Sequence, residues 1–364
     1  MSLLPGRGRV LACIIPLLLV GLPVTAAAAS SGYDQISSGH TTIALSPSFV
    51  RLLSAHRVSI QVGEGARRRG ARILLPAAGG EFDPGLGTGT LESAGTIVFA
   101  AGRRKVVLRR VVFKAKRSPL YAKVGGGQLK IASAGQLRSK RVGFGVSFTA
   151  GRLRLTAKAA SRLDKKLRLG RALAAGQPLG TLTAAAQPST VHLLQQGRLS
   201  LAIDPAFFAK LNGLFVSLNP IAPAELGPGP TLSFPVGPES TLAPDAAAGT
   251  VKLGGSVELL QLGSAQVFWR EVWLEAGAAS LAAEADVEPS PPQAGKQPQG
   301  PLLALPPGAS VSSDPSRRTI AISGQSATLT AATAESLNAA FAPGTSTFAA
   351  GETIGTLSLA VQAE

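Results

Sequence analysis

Few side chains in this sequence are equipped for chemistry. Past its first thirty residues the chain holds His40, His56 and His192, Tyr33 and Tyr121, with its single cysteine at Cys13 and its single methionine at Met1. Three scattered histidines do not make a metal-ligand spacing. Tyr121 and His56 fall inside patterned stretches and are the candidate donors to a bound iron. The same two residues read equally as a strand tyrosine with its hydroxyl outward and a solvated residue after a helix. Glu81 and Asp83 form an acidic pair that could serve a two-carboxylate hydrolase, but turn chemistry explains Asp83-Pro84-Gly85 without it. No G-x-S-x-G elbow and no phosphate-binding G-x-x-x-x-G-K-[ST] loop occurs. The sequence therefore reads as non-enzymatic.

Charge is more informative. The chain carries 36 Lys+Arg and 20 Asp+Glu, a formal +16. Residues 41–187 hold 27 basic and 5 acidic side chains, and residues 188–364 hold 7 and 14. The basic residues cluster as Arg67-Arg68-Arg69, Arg103-Arg104-Lys105, Arg109-Arg110, Lys114, Lys116 and Arg117, then Lys165, Lys166 and Arg168. Several adjoin expected strand ends and could share a face. The acidic half can offset about a third of this excess, so the remainder should attract a polyanion such as an anionic cell-envelope polymer. Specific nucleic-acid binding is not expected, because the aromatic residues that stack on single strands are missing from the basic stretches.

The amino terminus sets the expected compartment. Arg7 and Arg9 precede an apolar run from Val10 to Leu22, and Ala26 to Ala29 supplies small residues for cleavage. This is the three-part pattern of a secretory signal, expected at 1–29. The run is short for a bilayer, which needs about 20 apolar residues. Most of the apolar run follows Cys13, whereas a lipidation box must come after its apolar region, so Cys13 does not fit one, and cleavage would remove it. No later stretch is apolar enough to span a membrane. The product is expected to be secreted, or held at the cell surface without a covalent anchor.

The rest of the chain repeats itself. Ile43-Ala44-Leu45-Ser46-Pro47-Ser48-Phe49-Val50 matches Leu201-Ala202-Ile203-Asp204-Pro205-Ala206-Phe207-Phe208. Each begins as an alternating strand and ends in a capping residue plus proline, which opens a helix. Gly89 to Phe113 matches Gly249 to Leu274, with Gly95 on Gly255. Leu153-Arg154-Leu155-Thr156-Ala157 matches Ala327-Thr328-Leu329-Thr330-Ala331, followed by an alanine-rich helix. Ala175-Gly176-Gln177-Pro178-Leu179-Gly180-Thr181-Leu182 matches Ala350-Gly351-Glu352-Thr353-Ile354-Gly355-Thr356-Leu357. In this alignment Tyr121 falls on Ala282 and His56 on Leu214. The expected architecture is mostly β: two tandem β-sandwich-like modules with short helices. The first should span 41–187 and the second 198–364, with linkers at 30–40 and 188–197. The second copy is longer, and its surplus falls in a proline-rich insertion near 288–308.

The order of these blocks resembles the Htaa domain, the haem-transport-associated module of actinobacterial secreted and surface proteins. The resemblance rests on the Ser/Asp-Pro helix start, the Gly-Thr strand with Ser93-Ala94-Gly95, the Leu-Thr-Ala strand, and the closing Ala-Gly-x-x-[LI]-Gly-Thr-Leu. It covers about 41–362. It implies a β-rich fold and, for haem-binding members, a tyrosine axial ligand just past the phenylalanine of the first helix, supported by a histidine in a turn. The corresponding places here are Leu52 and Lys210 for the tyrosine, and Phe99 to Gly102 and Leu259 to Leu262 for the histidine stretch. Neither copy has the pair, so haem binding would draw on Tyr121 or His56. Two functions follow: an envelope-binding protein whose basic module contacts anionic polymer, or a haem-uptake protein.

Overall fold

The structure, a computed structural model, describes residues 33–83, 86–117, 119–288 and 300–364. The proposed signal segment and the centre of the proline-rich insertion lie outside them.

The first half begins with β1 (Asp34–Leu45), α1 (Pro47–Ala55), β2 (Ser59–Gly63), β3 (Arg67–Arg69), β4 (Arg72–Asp83) and β5 (Thr88–Ala101). It continues through β6 (Arg104–Lys114), a 3₁₀ turn (Ala115–Arg117), β7 (Pro119–Val124), β8 (Gly127–Ser133), β9 (Gln136–Val142), β10 (Gly145–Leu155), α2 (Ala157–Leu167) and β11 (Pro178–His192). The second half opens with β12 (Arg198–Ile203), α3 (Pro205–Gly213), β13 (Val216–Ile221), β14 (Glu225–Leu226), β15 (Thr231–Pro235) and β16 (Thr241–Leu242). Then come β17 (Thr250–Lys252), β18 (Ser256–Gln261), β19 (Ala265–Glu275), β20 (Ser280–Glu288) and β21 (Gly300–Ala304). The chain closes with β22 (Ser310–Asp314), β23 (Thr319–Leu329), α4 (Ala331–Phe341) and β24 (Thr353–Gln362).

The helices start where the capping chemistry places them. The Ser46 side chain accepts the Phe49 N–H, and the Asp204 carboxylate accepts those of Ala206 and Phe207. Thr156 and Thr330 cap α2 and α4 in the same way. Each cap satisfies a donor that the first helical turn leaves free. Phe49 and Leu53 on α1, like Phe207 and Leu211 on α3, are buried together four residues apart.

Each half has its own sheet and its own core. In the first, pairing runs β11-β1-β4-β5-β6-β7-β8-β10 and returns from β10 to β11, so no strand of this circuit keeps a free edge. In the second, the path runs β18-β19-β20-β21-β23-β24-β12-β15, and the join from β15 back to the start is one isolated bridge, Val236 with Leu253. The copies agree in backbone detail. Positive φ angles recur at Gly95 and Gly255 (95° and 92°), Arg110 and Glu271 (46° and 47°), and Arg57 and Phe215 (52° and 57°). Register confirms the alignment, since Tyr121 pairs with Val112 and Ala282 with the equivalent Trp273. Non-glycine residues seldom adopt φ > 0, so shared sites of this kind mark two copies of one design.

Three segments differ from expectation. Residues 34–40, expected as a linker, are the first half of β1, because Asp34 and Gln35 pair with Phe82 and Glu81 on β4. Residues 188–192 likewise continue β11. In the insertion, residues 300–304 are β21, the counterpart of β8: Thr330 donates from N to Leu302 O as Thr156 does to Ile131 O.

The halves are joined by strand pairing. The end of β11 pairs with β16 of the second half, Val191 with Leu242 and His192 with Thr241. Phe144, from the β9–β10 turn, is buried in the second core. At this seam Asp34, 6% exposed, accepts Arg141 Nη1 at 2.9 Å and the His192 N–H at 3.3 Å. Burial raises the Asp34 pKa above the ordinary aspartate value, against the opposing pull of Arg141. A raised native pKa means the group's contribution to stability is full below the unfolded value and is lost as pH rises through the native one. Arg141→Met leaves the carboxylate without its cation, yet it also removes Nε and Nη2, two buried donors that have no partner. The expected net cost is about 1–2 kcal/mol at neutral pH. The cost should shrink as the pH falls through the raised native pKa, below which the folded-state Asp34 is protonated and no longer needs the cation. Urea unfolding of variant and native protein at neutral and acid pH measures the difference.

A cationic groove as candidate functional site

The site is built from two strands and one helix of the first half. On β6 the alternation buries Val106 and Leu108 and turns Lys105 and Arg109 outward. On β7 Ala122 and Val124 are buried and Lys123 is exposed. On α2, Ala159, Ala160, Leu163 and Leu167 are buried, which leaves Arg162 and Lys166, one helical turn apart, at the groove. Between these elements lies a groove of about 340 Å³ lined by Lys105, Arg109, Lys123, Arg162 and Lys166 with Val106, Val107, Val124 and Gly125. Arg162 is fixed there by a 3.0 Å hydrogen bond from Nη2 to Val124 O.

Among the described residues no acid lines the groove. Glu64 reaches Arg109 at 4.0 Å, but both side chains are more than 60% exposed, so the pair is weak and screened. The register adds a second feature. Arg109 lies directly opposite Lys123 across β6 and β7, and like charges in that relation are destabilising. The second copy places Arg270 opposite Glu284 at the same register position. Its counterparts of Lys105, Arg162 and Lys166 are Gln266, Ser336 and Ala340. Five cations in one copy thus correspond to a single charge-matched pair in the other.

The other basic candidates are spread more widely. Arg67, Arg68 and Arg69 are exposed on the β3–β4 hairpin, and Arg68 is committed to Gly70 O and Ile60 O. Arg103 lies in the β5–β6 turn, Arg104 opens β6, and Arg110 sits in the bulge beside Arg109. Lys114 stands 5.6 Å over the Tyr121 ring. Lys116 is exposed on the 3₁₀ turn, and the Arg117 side chain lies outside the described residues. Lys165 and Arg168, with Arg171 and Asp164, line a separate open groove on α2. Lys165 and Arg168 sit at the C-terminus of α2, where cations interact favourably with the helix dipole. The structure therefore brings Lys105, Arg109 and Lys166 together and adds Lys123 and Arg162, which sequence clustering missed. Outward alternation on β7 marks Lys123, and four-residue spacing from Lys166 marks Arg162.

The donor candidates lie on different elements. His56 is exposed at the C-cap of α1, and its backbone N–H bonds Leu52 O. Tyr121 is half-buried on β7, beside an apolar void of about 30 Å³, which holds about one water's volume. Lys210, at one position the resemblance points to, is held by Glu352 and by Thr347 O at 2.9 Å. Among the described residues no group of three or more His, Cys, Asp or Glu side chains could hold a metal ion. No described helix is long and apolar enough to cross a membrane.

Solved structures similar to this chain include two domains of HtaA from Corynebacterium glutamicum. The C-terminal domain is 14% identical, with a TM-score of 0.34 over 42% of this chain and 98% of that one. The N-terminal domain is 19% identical, with a TM-score of 0.34 over 46% of this chain and 97% of that one. Each alignment thus takes in nearly a whole HtaA domain and under half of this chain. No protein-family model matches the chain, and no curated protein matches it.

Proposed function

We propose that this is an exported, non-enzymatic binding protein whose first module holds an anionic cell-envelope polymer in the groove between α2 and the β6–β7 pair. The observation that carries this reading is the placement of Arg109 opposite Lys123, beside three further cations and with no acid among the described residues, where the second copy has an Arg–Glu pair. A bound phosphate or carboxylate relieves that repulsion, and charge-assisted hydrogen bonds to Lys and Arg hold it. The export pattern of residues 1–29 supports an extracellular partner. None of the comparisons speaks for an anionic polymer, and the reading rests on the groove. Titration of the protein with long-chain polyphosphate by calorimetry tests it. Five contacts predict an affinity loss of about 100-fold between about 50 and 200 mM salt. Absence of binding at the lower salt ends the proposal.

Haem capture is the second reading, supported by the family resemblance of the sequence blocks. It predicts a shifted Soret band on adding haemin, abolished by Tyr121→Ala or His56→Ala. No band at micromolar haemin excludes it.

A further inference from the structure

The second copy contains a groove where its strand pairing differs from that of the first. In the first half β4 and β5 pair without a break from Gly79 with Glu92 to Asp83 with Thr88, and past a bulge again at Ala77 with Ser93. In the second half the equivalent contact narrows to the Val236–Leu253 bridge. Beside this interrupted join lies a groove of about 470 Å³, lined by Trp273, Pro238, Thr250, Lys252 and Glu271 among others. Trp273 is half-buried and sits directly across from Lys252 on β17. Its counterpart in the first half is Val112, which is buried.

We propose that this groove binds a neutral oligosaccharide, one pyranose ring of which stacks on the Trp273 indole while the polar rim hydrogen-bonds its hydroxyls. Three observations select that ligand class. The lining combines an aromatic platform and a proline with a few polar groups, the composition of a small-ligand site. The lining charges balance, Lys252 against Glu271, and Lys252 also reaches Glu239 at 2.7 Å, so among the described residues the groove carries no excess of cations for an anionic ligand. The backbone at the gap is also satisfied. Ser240 donates to Gly237 O and accepts from the Lys252 N–H, Gly237 N bonds Lys252 O, and Gly254 N bonds Pro235 O. An extended peptide adding as a strand would find these donors and acceptors already taken. A sugar ring, which offers an apolar face and a rim of hydroxyls, needs none.

Tryptophan fluorescence tests the proposal directly, because the chain has two tryptophans and Trp269 is 6% exposed in the core. The full chain is titrated with chitohexaose, maltohexaose and cellohexaose. At least one should shift the emission and protect it from acrylamide. Trp273→Ala should weaken binding of that glycan by about tenfold or more, and Trp273→Phe by less, with the thermal midpoint monitored in both. Thr250→Val, which keeps the platform, should weaken it by about threefold. Two results overturn the proposal: no response to any of the three glycans at millimolar concentration, or equal affinity in Trp273→Ala and the native protein.

Discussion

Lys123→Glu is expected to weaken polyphosphate binding by about 30-fold at about 100 mM salt while leaving the fold equally or more stable. The substitution removes one groove cation and adds an anion, a change of two charges. Each counterion-releasing contact carries roughly a five- to eightfold factor at that ionic strength, so two give the stated loss. The slope of affinity against salt should flatten by about two contacts. Stability should move the other way. Arg109 and Lys123 face each other across β6 and β7, and Glu at this position restores the opposite-charge relation of Arg270 and Glu284. Such a pair contributes about 0.5 kcal/mol. A site built for folding loses stability when a cation is reversed, whereas a site held for a ligand gains it. Urea unfolding and calorimetry on the same variant separate the two cases.

The second large effect is structural. Gly180→Ala should cost about 3–4 kcal/mol. Gly180 sits in β11 opposite Leu45, at φ 149°. A Cβ there would lie 1.9 Å from Ala44 O, a backbone atom that cannot swing aside. Gly355 in the second copy meets the same obstacle, with Ala202 O at 2.2 Å. Gly176, four residues before Gly180, is the control. It has φ 78°, and a Cβ added there would meet nothing within 4 Å, so Gly176→Ala should cost about 1 kcal/mol. Denaturant midpoints of the two variants measure the contrast. Equal values would mean that the close approach of β11 to β1 is not what keeps the glycine in the closing motif of both copies.

The duplication was legible because it is written in local chemistry. Ser46-Pro47 and Asp204-Pro205 each place a cap and a proline at a helix start, and Gly180 and Gly355 recur because two strands approach too closely there for a side chain. What was not legible depends on long-range pairing. Nothing near Asp34 announces that it will pair with β4 and accept a hydrogen bond from Arg141. Nothing near His192 announces that β11 will run on to β16, although both segments look like linkers in composition. The same holds for the groove. Runs such as Arg67-Arg68-Arg69 catch the eye in sequence but lie along one hairpin. Lys123 and Arg162 stand alone in sequence and meet only because α2 packs beside the end of β7. Clustering along the chain is a poor guide to clustering in space on a sheet, where neighbours across strands come from distant segments.

The most direct test of the groove is to locate an anion in it. Crystals of the protein soaked in tungstate, with diffraction recorded at the tungsten edge, should show an anomalous peak within hydrogen-bonding reach of Arg109, Lys123, Arg162 and Lys166, and none at Arg270 in the second copy. A peak confined to the Arg67–Arg69 hairpin, or equal peaks at Arg109 and Arg270, would contradict the assignment.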